Sequence, residues 1–131
     1  MRKRGTAIII EDGKVLLIYR RNPRGTYYVF PGGGVKAGET PEEGVIRECQ
    51  EELGISVSVG PLFLEYVEED VSLHIYAYKC VRTVKSGNVT WKERHKQTAD
   101  NRYRVEWVEI SRLAEITVLP EKLQKLLLAE N

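Results

Sequence analysis

The sequence predicts an α/β fold, a mixed β-sheet held between helices, and three observations carry that prediction. Apolar residues alternate along several short stretches bounded by Gly, Pro, Asn and Asp, the pattern of half-buried strands. A helical pattern with signals at both ends interrupts them at residues 41 to 53. A second amphipathic helix closes the chain. Strands, a helix, more strands and a helix make a sheet with helices packed on both faces.

The elements follow in order. Residues 5 to 10 and 14 to 20 read as strands joined at Glu11-Asp12-Gly13, a hairpin turn of the Asp-Gly kind. A second turn falls at Asn22-Pro23-Arg24-Gly25, and a short strand at Tyr27 to Phe30 runs into Pro31-Gly32-Gly33-Gly34. After the first helix come β-rich stretches at about 56 to 67 and 71 to 84. Residues 85 to 103 are polar and irregular, long for a loop in a compact domain, so they are expected to border a functional site. Val105 to Ile110 is a further strand. Leu119 to Leu128 is the last helix, with Leu123, Leu126 and Leu127 on its apolar side.

The bulk properties set the class. A chain of 131 residues reads as one domain over 1–131. With 42% hydrophobic and 30% charged residues it has a globular composition. A net charge of +1 supplies no electrostatic basis for bulk nucleic-acid binding or a membrane surface. The apolar run Ala7 to Ile10 is too short for a signal or membrane-spanning segment. Cys49 and Cys80 sit inside apolar patterns and read as buried free thiols. A cytoplasmic location is the expectation.

The helix at 41 to 53 carries the chemistry. Thr40 and Glu43 form a capping box, Pro41 suits the first helical position, and Gly54 suits the residue past the end. At 100° per residue, with Glu48 at zero, Glu51 lies at roughly −60° and Glu52 at roughly +40°. Three carboxylates therefore share one face. Val45, Ile46, Cys49 and Leu53 fall between roughly +60° and +160°, so the acidic face lies beside the apolar stripe. Like charges at these spacings destabilise a helix, by roughly 0.2–0.5 kcal/mol per pair. They also stand in the last turns, where the helix dipole disfavours anions. Local stability does not account for them, whereas a bound Mg²⁺ or Mn²⁺ would.

Gly33, Glu39, Arg47, Glu48, Glu51, Glu52 and Gly54 stand in fixed register, with Cys49 and Ile55 in apolar slots. This pattern, over residues 33–55, resembles the Nudix box. Phe30-Pro31-Gly32-Gly33 before it and Glu106-Trp107-Val108 after it are similar to flanking segments of that family. The resemblance implies a Nudix-type α/β/α sandwich and a hydrolase that cleaves a diphosphate linkage with Mg²⁺, or Mn²⁺ as substitute. It implies that Glu48, Glu51 and Glu52 bind metal, with the main-chain carbonyl of Gly33 and with Glu39 supporting or reaching the ion. It implies that Arg47 orients the carboxylates. By helical spacing Arg47 reaches both Glu43 and Glu51.

The partner implied is a nucleotide-like small molecule, attacked by water at phosphorus. The proton acceptor comes from the box or from a later loop. Glu93 is the candidate outside the box, because Trp91-Lys92-Glu93 precedes the Glu-Trp strand much as a catalytic loop glutamate does in MutT-like members. Candidate substrate contacts are Arg20 for phosphate, Tyr28 with Tyr27 and Trp91 for base stacking, and Gly32 and Gly34 for backbone N–H groups aimed at phosphate. His74 and His95 have no ligand-like spacing. A MutT-like nucleoside-triphosphate pyrophosphatase is the leading expectation. An ADP-ribose or nucleotide-sugar pyrophosphatase is the alternative, and a non-catalytic nucleotide sensor stands behind both.

Overall fold

A computed structural model describes residues 1–130. The chain forms β1 (Arg2–Glu11), β2 (Lys14–Asn22), β3 (Gly25–Val29), β4 (Gly32–Gly34), α1 (Pro41–Leu53), β5 (Val57–Glu68), β6 (Leu73–Arg82), β7 (Arg102–Glu109), β8 (Val118–Leu119) and α2 (Glu121–Glu130). The β1–β2 hairpin turns on Asp12 at φ 52° and Gly13 at φ 74°, the left-handed pair that its two-residue turn requires.

The strands run in the order β5-β6-β1-β2-β3-β8, with β4 also on β1 and β7 also on β2. β1 pairs parallel with β6 and antiparallel with β2 and β4, so the sheet is mixed. Successive residues of a strand point to opposite faces, and the two innermost strands show it. Ile8, Val15 and Leu17 pack with Leu123 and Leu127 of α2. Ala7, Ile9, Leu16 and Ile18 pack with Val45, Cys49 and Leu53 of α1. The sheet is sandwiched between the two helices, as the order of elements predicts. Leu123 and Leu127 are fully buried, and truncating either to alanine would cost about 2–5 kcal/mol. Cys49 and Cys80 are free and buried.

Several boundaries differ from the sequence reading. The irregular segment ends at residue 101, because Arg102 and Tyr103 pair with Arg21 and Arg20 and extend β7. The last helix begins at Glu121 rather than Leu119, since Val118 and Leu119 pair with β3. Leu126 is 38% exposed and does not join the core face of α2. Ile46 is likewise 43% exposed and stands apart from the residues that α1 buries, Gly44, Val45, Cys49, Glu52 and Leu53. The glycine run after Pro31 is not an open turn. It is a strand whose backbone lies on Arg4, Gly5 and Thr6 of β1. Among the described residues, no helix is long and apolar enough to cross a membrane.

Candidate active site

Capping sets the register of α1. The Thr40 hydroxyl accepts from the Glu43 N–H at 3.1 Å, and the Glu43 carboxylate accepts from the Thr40 N–H at 2.8 Å. Gly54, at φ 64°, ends the helix and donates to the Gln50 carbonyl. Such caps stabilise a helix by roughly 1 kcal/mol each. With its ends fixed and Val45, Cys49 and Leu53 buried, α1 holds Glu48 and Glu52 beside β4.

Glu48, Glu52 and Glu93 bring carboxylate oxygens within 4.8 Å of one another. Glu52 is only 8% exposed. One of its oxygens accepts from the Gly32 N–H at 3.3 Å. Burial first, and then the Glu48 charge, push its carboxyl up to about 7. Arg47 pairs with Glu48 and Lys96 with Glu93, but Glu52 has no ion-pair partner among the described residues, so three carboxylates this close still favour a shared cation or a proton. The donor set is all oxygen, which suits Mg²⁺ or Mn²⁺. The cradle is also tight. A Cβ on Gly33 would fall between 2.5 and 2.8 Å from the Glu48 carboxylate atoms. The residues present therefore fit a hard divalent cation.

Glu51 is outside this ring. Its half-exposed side chain turns to Arg47, at 3.1 Å. Arg47 spreads its donors over Glu39, Glu48, Glu51 and the carbonyl of Gly34, at 2.9 to 3.1 Å. Those hydrogen bonds, led by Arg47, hold the Glu39 carboxyl down at about 2. Arg47 does not pair with Glu43, contrary to the helical spacing. The Glu43 carboxylate is committed to the N-cap one turn earlier.

Glu93 arrives from the segment between β6 and β7. The loop after β6 docks on α1 through a 2.7 Å bond from the Lys92 N–H to the Glu52 carbonyl. The Trp91 indole N–H donates to the Glu93 carbonyl at 2.9 Å, and Lys96 pairs with its carboxylate at 2.9 Å. His95 is exposed 3.9 Å from the same carboxylate. His74 lies outside the carboxylate ring and pairs with Glu65.

The ring opens into a cleft of about 780 Å³. Arg20, Gly32, Gly33, Gly34, Trp91 and Lys96 line it. Trp91 stacks on Tyr103 with ring centroids 4.6 Å apart and planes 7° from parallel. Arg20 lies over the same Tyr103 ring and donates to its hydroxyl at 2.6 Å. The long loop therefore borders the cleft, as its length and polarity suggest. Tyr28 does not line it. Its hydroxyl donates to Glu106 and its ring packs against the α2 side of the sheet. Its neighbour Tyr27 lines the cleft instead, since adjacent strand residues face opposite ways. Sequence reading missed Arg4, Thr6 and Tyr103, which also line the cleft. The alternation of Arg4 and Thr6 along β1 was the available signal for two of them.

The NUDIX domain family model matches residues 1–127. The chain is 31% identical over 121 residues to an ADP-ribose pyrophosphatase of Methanocaldococcus jannaschii, spanning 90% of this chain and 68% of that one. It is 35% identical over 113 residues to a MutT-like protein of Streptomyces ambofaciens, spanning 83% of this chain and 66% of that one. It thus matches about two thirds of the length of each. Among solved structures, the Escherichia coli ORF135 protein superposes with a TM-score of 0.70 at 25% identity, covering 97% of this chain and 86% of that one.

Proposed function

The chain belongs to the NUDIX family of hydrolases, and from that premise we propose that it is a metal-dependent, MutT-like pyrophosphatase acting on nucleoside triphosphates. The observation that carries this reading is the ring of Glu48, Glu52 and Glu93 opening into a cleft walled by Trp91, Tyr103 and Arg20. A 39-residue segment, 28% of this chain and 30% of that one, is also 56% identical to an Escherichia coli 8-oxo-dGTP diphosphatase.

Each group has a stated part in this reading. Glu48 and Glu52, with Gly33 packed against Glu48, would hold the cation. A bound Mg²⁺ would offset the charge of the diphosphate and acidify a water. Glu93, fixed through Lys92 and Trp91, would accept the proton of the attacking water. Arg47 orients Glu48 and ties it to Glu39 and to the backbone of β4. Glu51 shares Arg47 and would join the cation only by leaving that pair. Trp91, braced from behind by the stacked Tyr103 ring, offers a flat face for a base, a contact worth roughly 1–3 kcal/mol. Arg20 and the Gly32–Gly34 strand border the phosphates. The likeness to an ADP-ribose pyrophosphatase supports a second reading, in which the departing group is a sugar phosphate.

The test is a panel of nucleoside triphosphates, ADP-ribose and nucleotide sugars with product identification. Release of a nucleoside monophosphate and pyrophosphate, abolished by EDTA and restored by Mg²⁺, supports the first reading. Turnover of ADP-ribose alone supports the second. Full activity in metal-free buffer overturns both.

A further inference from the structure

We infer that Arg4 and Thr6 form an anion subsite that takes the terminal phosphoryl groups of the triphosphate. This rests on the triphosphate reading above and names the residues that would select such a substrate. Arg4 and Thr6 stand two apart on β1, so both side chains face the same side of the strand, and both line the cleft with Glu48 and Glu52.

The two groups share one property: the protein leaves them without a partner. The guanidinium of Arg4 carries five donors. Its side chain makes no hydrogen bond or ion pair among the described residues, although Glu68 and Glu121 also line the cleft. The other arginines near the core are engaged, although Arg20 keeps its Nε buried without a hydrogen-bond partner. Arg47 is tied to three carboxylates, Arg82 grips Glu11 with two nitrogens at 2.7 Å, and Arg20 bonds Tyr103. Arg4 is half-buried, and burial holds its guanidinium below the ordinary value, with Glu52 and then Glu48 pulling it back. Thr6 is 1% exposed, and its hydroxyl is buried with no hydrogen-bond partner. A desolvated cation and an orphan hydroxyl on one wall are complementary to an anion with several acceptor oxygens.

The wall also lies apart from the aromatic one. Arg4 is flanked in the sheet by Gly34 and Ile75, on β4 and β6. Arg20 is flanked by Tyr27 and Tyr103, on β3 and β7. A base on the aromatic wall and phosphates reaching past the carboxylate ring toward Arg4 would use both. Shielding Glu48 does not explain Arg4, because Arg47 already does so by direct contact, and Glu52, which Arg47 does not reach, acts on Arg4 through its charge without forming an ion pair. A neutral sugar would leave the guanidinium uncompensated.

The experiment compares the wild type with Arg4→Met, Arg4→Lys and Thr6→Val. It measures the rise in thermal midpoint on adding inorganic pyrophosphate with Mg²⁺, and KM and kcat for a nucleoside triphosphate. Arg4→Met is expected to abolish most of the pyrophosphate-induced rise and to raise KM about 10- to 100-fold, with Arg4→Lys restoring part of both. Thr6→Val keeps the side-chain shape and breaks no internal hydrogen bond, so it should fold as the wild type does and raise KM about 3- to 10-fold. It keeps the test open if Arg4→Met fails to fold. A wild type that hydrolyses triphosphates while Arg4→Met and Thr6→Val keep its KM and its pyrophosphate response overturns the subsite and leaves the function standing. A wild type inert toward triphosphates, whose pyrophosphate response nevertheless disappears in Arg4→Met, overturns the function and leaves the anion subsite standing.

Discussion

A Cβ atom on Gly33 would stand 2.5 Å from the carboxylate carbon of Glu48. Gly33 is not among the residues with positive φ, so an alanine there would not strain the backbone. Its whole effect would be to push the Glu48 carboxylate out of the ring. Gly33→Ala is therefore expected to fold and to bind Mn²⁺ about tenfold more weakly, a loss of about 1.4 kcal/mol. A Mn²⁺ titration followed by electron paramagnetic resonance measures it. Unchanged affinity would show that Glu48 does not hold the cation.

Glu52→Gln should lose about 10²–10⁴-fold in turnover at saturating Mg²⁺. In EDTA the variant should be at least as stable as the wild type, because it removes a buried carboxylate facing Glu48 and Glu93. A structural carboxylate predicts the reverse, with stability lost and activity following it. Thermal midpoints in EDTA and turnover in Mg²⁺ separate the two, and near-normal turnover would exclude Glu52 from the chemistry.

Two of these carboxyls give opposite pH dependences in the metal-free protein. The folded state raises Glu52 from 4.5 to about 7, so its contribution is present below pH 4.5 and is lost as the pH rises through 7. The folded state lowers Glu39 to about 2, so its contribution is present above pH 4.5 and is lost as the pH falls toward 2. Thermal melts in EDTA across this range should therefore show Glu52→Gln flattening the decline toward neutral pH. Glu39→Gln should flatten the decline in acid. Identical slopes in wild type and variants would contradict both assignments.

Trp91→Ala should raise KM for a nucleoside triphosphate more than it lowers kcat. The change removes a ring that lines the cleft and is held flat by Tyr103. A loss of roughly 1–3 kcal/mol of stacking corresponds to about a 5- to 150-fold rise. The competing role is to brace the loop that carries Glu93. In that case kcat falls and KM stays, so steady-state kinetics at saturating Mg²⁺ decide between them.

Much of this molecule was written locally. The caps at Thr40 and Gly54, the Asp12-Gly13 hairpin and the alternation of Ile8, Ile9, Leu16 and Leu17 depend on residues a few positions apart, so the sequence alone determined α1, the central strands and the sandwich. The pairing of Glu48 with Glu52 came from the same source, since residues four apart on a helix are neighbours. Tertiary packing decided what those neighbours meet. Glu93 enters the ring because its loop docks on the Glu52 carbonyl, a contact 40 positions along the chain that no local pattern encodes. Glu51 leaves the ring because Arg47 had a closer claim on it once Glu39 and the Gly34 carbonyl had fixed the guanidinium. Tyr27 and Tyr28 show the limit most sharply. Side chains on a strand alternate, so which tyrosine faces the cleft depends on the register of β3 against β2 and β8, and register is set only when the whole sheet assembles. The same holds for Arg4 and Thr6: a basic N-terminus reads as solvated surface until β4 and β6 close on either side of it and leave two polar groups facing the cleft without a partner.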